Sequence, residues 1–266
     1  MIKIENTEVI GWEHAIRGMR NPMNSWAGSD SGYCGGDNHI GCIHCHFAGD
    51  KEHNEKMIAT DFTYGYDVLP CGKKEFTGEY EIGHKDYELM RKLCKAGTDH
   101  RKFMRMITVY VDVTAPFYWW KEYDTYKVGT VTNSCSTMHK ITDKEFTFDD
   151  FSHEHLFDDR VYEKITDRYV RMYSRHYLSE IVEALNFARK IYLETKDKDW
   201  WWQIIQLLPS SYNQRRTLML NYEVLANIYK SRRGHKLDEW KIFCEWIDTL
   251  PYSELITDKI NGDDKD

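Results

Sequence analysis

Two groups of side chains in this sequence have the types and spacing to do chemistry. The first is Cys42-x-x-Cys45, with Cys34 and Cys71 to either side and His39, His44, His46 and His53 as alternates. Two thiolates at C-x-x-C spacing reach one tetrahedral ion, so Cys34, Cys42, Cys45 and Cys71 read as a zinc set. The gap to Cys71 is not a standard finger spacing, and the competing reading is a loop with free thiols. The second group lies in 208–240, LPSSYNQRRTLMLNYEVLANIYKSRRGHKLDEW. Its apolar spacing predicts one long helix, started at Pro209 and the Ser210-Ser211 pair and stopped at Gly234. At about 100° per residue, Gln214, Asn221 and Arg232 would point within roughly 20° of one another, on the side that holds Leu218, Leu225 and Ile228. Two amides and a guanidinium on a buried side need partners, either other protein groups or a polar ligand.

Smaller signals surround these. Cys135 has His139 four residues on, the pattern of an activated thiol, although a buried inert thiol is the commoner use. Trp119, Trp120, Tyr123 and Tyr126 share a short segment and would serve as core, subunit contact or a stacking platform. Arg215-Arg216 and the stretch 230–233 are local basic spots, read either as anion sites or as solvated helix faces.

The bulk properties set limits. A net charge of −7 argues against a generic nucleic-acid coat or an anionic membrane surface. The opening MIKIENTEVIG lacks the basic start and apolar run of a signal peptide, and no apolar stretch is long enough to span a bilayer. Seven cysteines, an odd number, point to a reducing cytoplasm with free or metal-bound thiols.

These groups must be held by elements. Residues 8–23 read as a strand leading into a helix. Residues 28–84 are rich in Gly, Cys, His and Asp with weak periodicity, a long irregular segment that needs a local organiser such as a metal. The spacing predicts a short helix over 86–96 ended by Gly97. Val109, Val111 and Val113 alternate with Tyr110 and Asp112, a half-buried strand over 108–114. A helix opened by Pro116 covers 117–127, and 128–139 is loop-like. Residues 160–195 read as one long helix or two joined helices. A last helix is capped by Asp238 and buries Trp240, Phe243, Ile247 and Leu250, and 261–266 is a polar tail. The expectation is an α+β fold, a small mixed or antiparallel sheet flanked by long helices, as one domain over 1–260 with the Cys/His-rich insertion at 28–84.

This order of elements resembles the flavin-dependent thymidylate synthases. Three blocks carry the resemblance: Leu208-Pro209 followed by Arg215, Asn221, Asn227, Arg232 and Trp240; Lys95-Ala96-Gly97 through Pro116; and 125–139, which sits where that family has the signature Arg-His-Arg-x-x-Ser-x-Asn-Glu-x-Ser-x-Arg-Tyr. The resemblance implies a homotetramer that binds FAD and a pyrimidine nucleotide or related small molecule and moves a one-carbon unit to C5 of the pyrimidine. It implies cofactor contacts for Asn221, Asn227, Tyr126 and Lys127. Arg232, Arg215, Glu122 and Ser136 would meet the substrate, with Ser136 and Arg232 in catalytic positions.

The departures are chemical. The signature's Arg-His-Arg is Thr125-Tyr126-Lys127, its Asn-Glu is Asn133-Ser134 with one inserted residue, and its final Arg-Tyr is Met138-His139. Glu122 stands where the family has glutamine. A phosphate dianion wants guanidinium forks. Of three nucleotide-binding arginines only Arg232 is in place, with Lys127 or Arg215 as substitutes, and Glu122 would repel the phosphate. Either the substrate lacks a phosphate there, or the scaffold has become a catalytically inactive nucleotide- or partner-binding protein.

Overall fold

The structure, a computed structural model, describes residues 1–33, 80–165 and 168–258. The chain forms two compact units. One comprises Met1–Thr7, Tyr110–Met219 and Arg232–Trp246, the other Glu8–Val109, Leu220–Ser231 and Ile247–Asp266. The architecture is α+β.

The main sheet has the order β1 (Lys3–Ile10), β4 (Thr108–Pro116), β8 (Asn213–Asn221), β5 (Val131–Ser134). In β4, Val109, Val111, Val113 and Ala115 are buried while Tyr110 is exposed, the period-2 pattern of a half-buried strand. β5 pairs antiparallel with β8, Val131 opposite Met219 and Ser134 opposite Arg216. Two short antiparallel pairs accompany it: β2 (Gly32–Tyr33) with β3 (Tyr80–Glu81), and β6 (Arg160–Ile165) with β7 (Arg168–Met172).

In the first unit, Pro116 sits extended before α3 (Phe117–Tyr123), where its fixed φ suits a helix start. Helix α3 buries Trp119, Trp120 and Tyr123. Trp119 meets Trp240 of α8 (Asp238–Asp248) at 4.8 Å between ring centroids, with Phe243 at 5.5 Å. A second core gathers Leu178, Leu185 and Ala188 of α5 (Ser174–Thr195), Ile204 of α6 (Lys198–Leu207), and Ile141, Phe146 and Phe151.

In the second unit, α1 (Trp12–Arg20) follows Gly11 at φ +96, where a Cβ would lie 2.2 Å from the Met106 carbonyl oxygen, so only glycine fits. Arg20 pairs with Asp86 of α2 (His84–Lys95) at 2.6 Å, and both are buried. Burial pushes the Asp86 carboxyl up, but hydrogen bonds from Ser29, Ser31 and Arg20 outweigh it and leave it below the ordinary carboxylate range. Helix α2 ends before Gly97, at φ +102.

Three expectations are corrected. The single helix over 208–240 is a strand, β8, followed directly by α7 (Tyr222–Arg232), a turn and α8. Gln214 and Asn221 are therefore strand residues and share no helix face with Arg232. The helical reading of 160–195 gives way to the β6–β7 hairpin before α5. The loop over 128–139 contains β5 and the short helix α4 (Thr137–Lys140). The strand-to-helix entry, the 86–96 helix, the 108–114 strand, the helix after Pro116 and the Asp238 helix are all present. No helix among the described residues is long and apolar enough to cross a membrane.

Candidate functional site

The first unit brings Glu122, Tyr126, Arg232, His235 and Trp240 together. Arg232, the last residue of α7, donates from Nη1 to Glu122 Oε2 at 2.7 Å and from Nε to the Tyr126 hydroxyl at 3.0 Å. Its guanidinium carbon lies 4.7 Å from the centroid of the Trp240 ring and 5.7 Å from that of Tyr126, within cation–π range. Trp240 Nε1 donates to the same Glu122 Oε2 at 3.0 Å, and His235 Nε2 stands 3.6 Å from it. The pairing has a local cause. α3 turns its tryptophans inward and leaves Glu122 half-buried, and α8 presents the Trp240 ring beneath the arginine. Arg232 thus has a carboxylate, a phenol and an indole as partners, and its charge is matched inside the chain.

A second cluster lies on the sheet. Asp112 accepts from Thr217 Oγ1 at 2.6 Å and from Asn6 Nδ2 and Arg215 Nη2 at 2.8 Å each. Those hydrogen bonds, Thr217's first, hold its carboxyl down at about 2. Arg216 donates to Asp124 Oδ1 at 2.7 Å and to Gln214 Oε1 at 3.0 Å, with its guanidinium 4.1 Å from the Trp120 ring centroid. Gln214 Nε2 donates to the Cys135 carbonyl and to Thr137 Oγ1, which fixes the chain between β5 and α4. There Ser136 accepts at Oγ from the His139 backbone N–H and caps α4. Cys135 is exposed and makes no side-chain hydrogen bond to His139.

The expected seam is therefore divided. Gln214, Asn221 and Arg232 are each engaged by protein atoms, and none needs a ligand to be satisfied. In the second unit, Asn221 Oδ1 accepts the Val224 N–H at 3.0 Å, the N-cap of α7. Asn227 is exposed on α7, and Lys127 is exposed in the first unit; neither side chain bonds another described residue. Cys34, Cys42, Cys45 and Cys71, with the histidines near them, lie outside the described residues. Among the described residues no group of three His, Cys, Asp or Glu side chains could hold a metal.

Sequence reasoning missed His235, Asp124 and the Asp112 hub. Their partners lie about a hundred positions away, beyond the reach of periodicity. The one local hint was the acid at 122, read as a repeller of phosphate before its partner was visible.

No protein-family model matches the chain, and no curated protein matches it by sequence. Solved structures do. The flavin-dependent thymidylate synthase ThyX from Helicobacter pylori, complexed with FAD and dUMP, aligns with a TM-score of 0.55 at 13% identity over 96% of this chain and 97% of its own. A second structure of Thymidylate Synthase X from Helicobacter pylori, with FAD and dUMP, gives 0.53 at 12% identity over 97% of each chain. At such identity the likeness is one of fold, and nearly the whole chain takes part in it.

Proposed function

We propose that this chain is a divergent flavin-dependent thymidylate synthase-like protein. It binds FAD and a pyrimidine nucleotide or related base, and it transfers a one-carbon unit to C5 of that pyrimidine. The full-length likeness of fold to enzymes complexed with FAD and dUMP carries this reading. The whole of 1–260 acts as one functional domain in it, in the cytoplasm and as a homotetramer. FAD would supply the redox chemistry when bound. Among the described residues the Asn227 amide and the Lys127 ammonium have no side-chain partner, and each by itself suits the acceptors of an isoalloxazine edge or a pyrophosphate. Asn221 is already occupied as a helix cap. Tyr126 orients Arg232, and Ser136 sits in an exposed turn open to a reacting ring. Arg215, bound to Asp112, would have to exchange that partner for a substrate anion.

The Glu122–Arg232 pair favours a second reading, in which the scaffold binds a nucleotide or a protein partner without turnover. Two measurements separate the readings. Flavin released on denaturing freshly purified protein, or taken up from added FAD, supports the first. Protein that is colourless and takes up no FAD overturns it. Incubation with reduced flavin, methylenetetrahydrofolate and either dUMP or deoxyuridine, followed by mass spectrometry of the pyrimidine, then tests turnover. Binding without a modified base assigns the second reading. Zinc in the 28–84 segment stays a proposal from the sequence, checked by elemental analysis of the same preparation.

A further inference from the structure

The second unit contains a cavity of about 560 Å³ whose lining includes Trp12, Glu13, His14, Tyr33, Tyr80 and Tyr252. That volume is in the range of small-molecule sites, roughly 300–1,000 Å³. Four of its walls are aromatic, arranged as two corners. Tyr33 and Tyr80 meet at 5.1 Å between ring centroids with planes 78° apart. Trp12 and Tyr252 meet at 5.2 Å with planes 68° apart. Rings set edge to face turn their electron-rich faces in different directions around a common space. Two carboxylates, Glu13 and Glu81, share the lining, and no lysine or arginine among the described residues does.

The walls are fixed in place. Tyr33 donates its hydroxyl to Glu13 Oε2 at 2.9 Å, tying β2 to the start of α1. Trp12 also packs edge-on against buried Tyr222 at 5.3 Å. Tyr252 holds a left-handed φ of +52, uncommon for a bulky residue, and the carbonyl of Pro251 before it accepts the Tyr222 hydroxyl at 2.5 Å. The Glu13 carboxylate acts on both Tyr33 and Tyr80. The bond from Tyr33 to Glu13 and the charge behind it raise the Tyr33 phenol above its ordinary value. Burial, then Asp86 and Glu13, push Tyr80 up to about 12.

We propose that this cavity binds a small organic ammonium ion, held over the faces of Trp12, Tyr33, Tyr80 and Tyr252 with Glu13 supplying the counter-charge. Aromatic faces attract a poorly hydrated cation through their quadrupoles, and quaternary ammonium groups suit such boxes best because they carry charge on an apolar surface. An anionic ligand would meet the Glu13 carboxylate with no lysine or arginine among the described residues in the lining. A neutral apolar ligand would gain the rings alone. The site lies wholly within the second unit and does not depend on the flavin reading.

Calorimetric titration of the full chain with choline chloride, against sodium chloride at equal ionic strength, tests it. Saturable binding in the millimolar range or tighter is expected. The uncharged isostere 3,3-dimethylbutanol should bind about tenfold more weakly, because it keeps the shape and loses the charge. Tyr33→Ala, at an exposed wall, should weaken choline by a similar factor. If circular dichroism shows that variant to be unfolded, Glu13→Gln makes the same comparison. Absence of saturable choline binding, equal binding of the isostere, or choline affinity unchanged by the folded variant would each overturn the proposal. Flavin uptake is measured separately, so the two readings fail independently.

Discussion

Glu122 decides what Arg232 can do. A guanidinium 2.7 Å from a carboxylate gives up that partner before it can hold a phosphate. The pair is partly exposed, so its net worth is modest, about 1 kcal/mol or less. A phosphate dianion that had to enter beside the carboxylate would also meet like-charge repulsion. E122Q keeps the shape and a hydrogen-bond acceptor for Arg232 and Trp240 but removes the charge. It should tighten dUMP binding about tenfold and leave deoxyuridine unchanged. Titration of both ligands into both proteins checks this, and equal dUMP affinity would mean that Arg232 faces no phosphate. Asp112 permits a pH prediction. Its carboxyl falls from an ordinary 3.8 to about 2 in the folded chain, so its contribution is complete above the unfolded value and disappears as pH falls through about 2. The stability gap between the parent and D112A should be constant from neutral pH to about pH 5 and close between about pH 4 and 2. Urea titrations at a series of pH values measure it, and a gap that widened on acidification would contradict the assignment.

Among the elements, α7 separates a structural amide from one that is free to bind. Asn221 caps the helix through the Val224 N–H, so N221A should cost about 1 kcal/mol and lower the melting temperature. Asn227 is exposed without a side-chain partner among the described residues, so N227A should stay within about 0.5 kcal/mol of the parent yet weaken FAD uptake. Thermal melts with and without FAD read both effects; loss of stability without FAD in N227A would assign that amide to the fold instead. The same stretch shows where the sequence was legible. The valines of β4 announced a strand because β-branched residues alternate there. In β8 the alternation is also real, with Gln214, Leu218 and Leu220 buried and Arg215 and Thr217 exposed. It is written in Gln, Arg, Leu and Met, which are strong helix formers, and it runs without a break into a true helix, so a 3.6-residue period fits across the junction. The 160–172 hairpin carried a fairer warning in Val161, Tyr162, Ile165, Tyr169 and Val170, residue types at home in strands. The site was legible only in part for the same reason. Arg232, Tyr126 and Glu122 could be singled out by type and position, but their mutual pairing needed the turn after α7 and the approach of α8.

For the whole molecule, the sheet has an edge that no strand among the described residues covers. β5 is the last strand in the order β1-β4-β8-β5, and all four of its residues are exposed. Val131 is 58% exposed, and Val128 and Met138 close by are 90% and 51% exposed. An open strand edge with apolar neighbours is a template for another chain, and natural proteins blunt such edges with lysine, proline or a covering element. Residues 131–134 contain none of the blunting types. A second copy of this chain is therefore the expected cover, in keeping with the proposed homotetramer. Lysine at 131 would place a charge in that contact while leaving the β5–β8 pairing intact, because Val131 bears on solvent within the chain. V131K should shift the light-scattering mass from an oligomer towards the monomer at equal concentration, with little change in circular dichroism. Since the exposed turn at Ser136 lies directly beyond β5, the same variant should also lose FAD uptake if the flavin site is completed by a neighbouring copy. Monomeric parent protein, or an oligomer indifferent to V131K, would remove this edge as the interface.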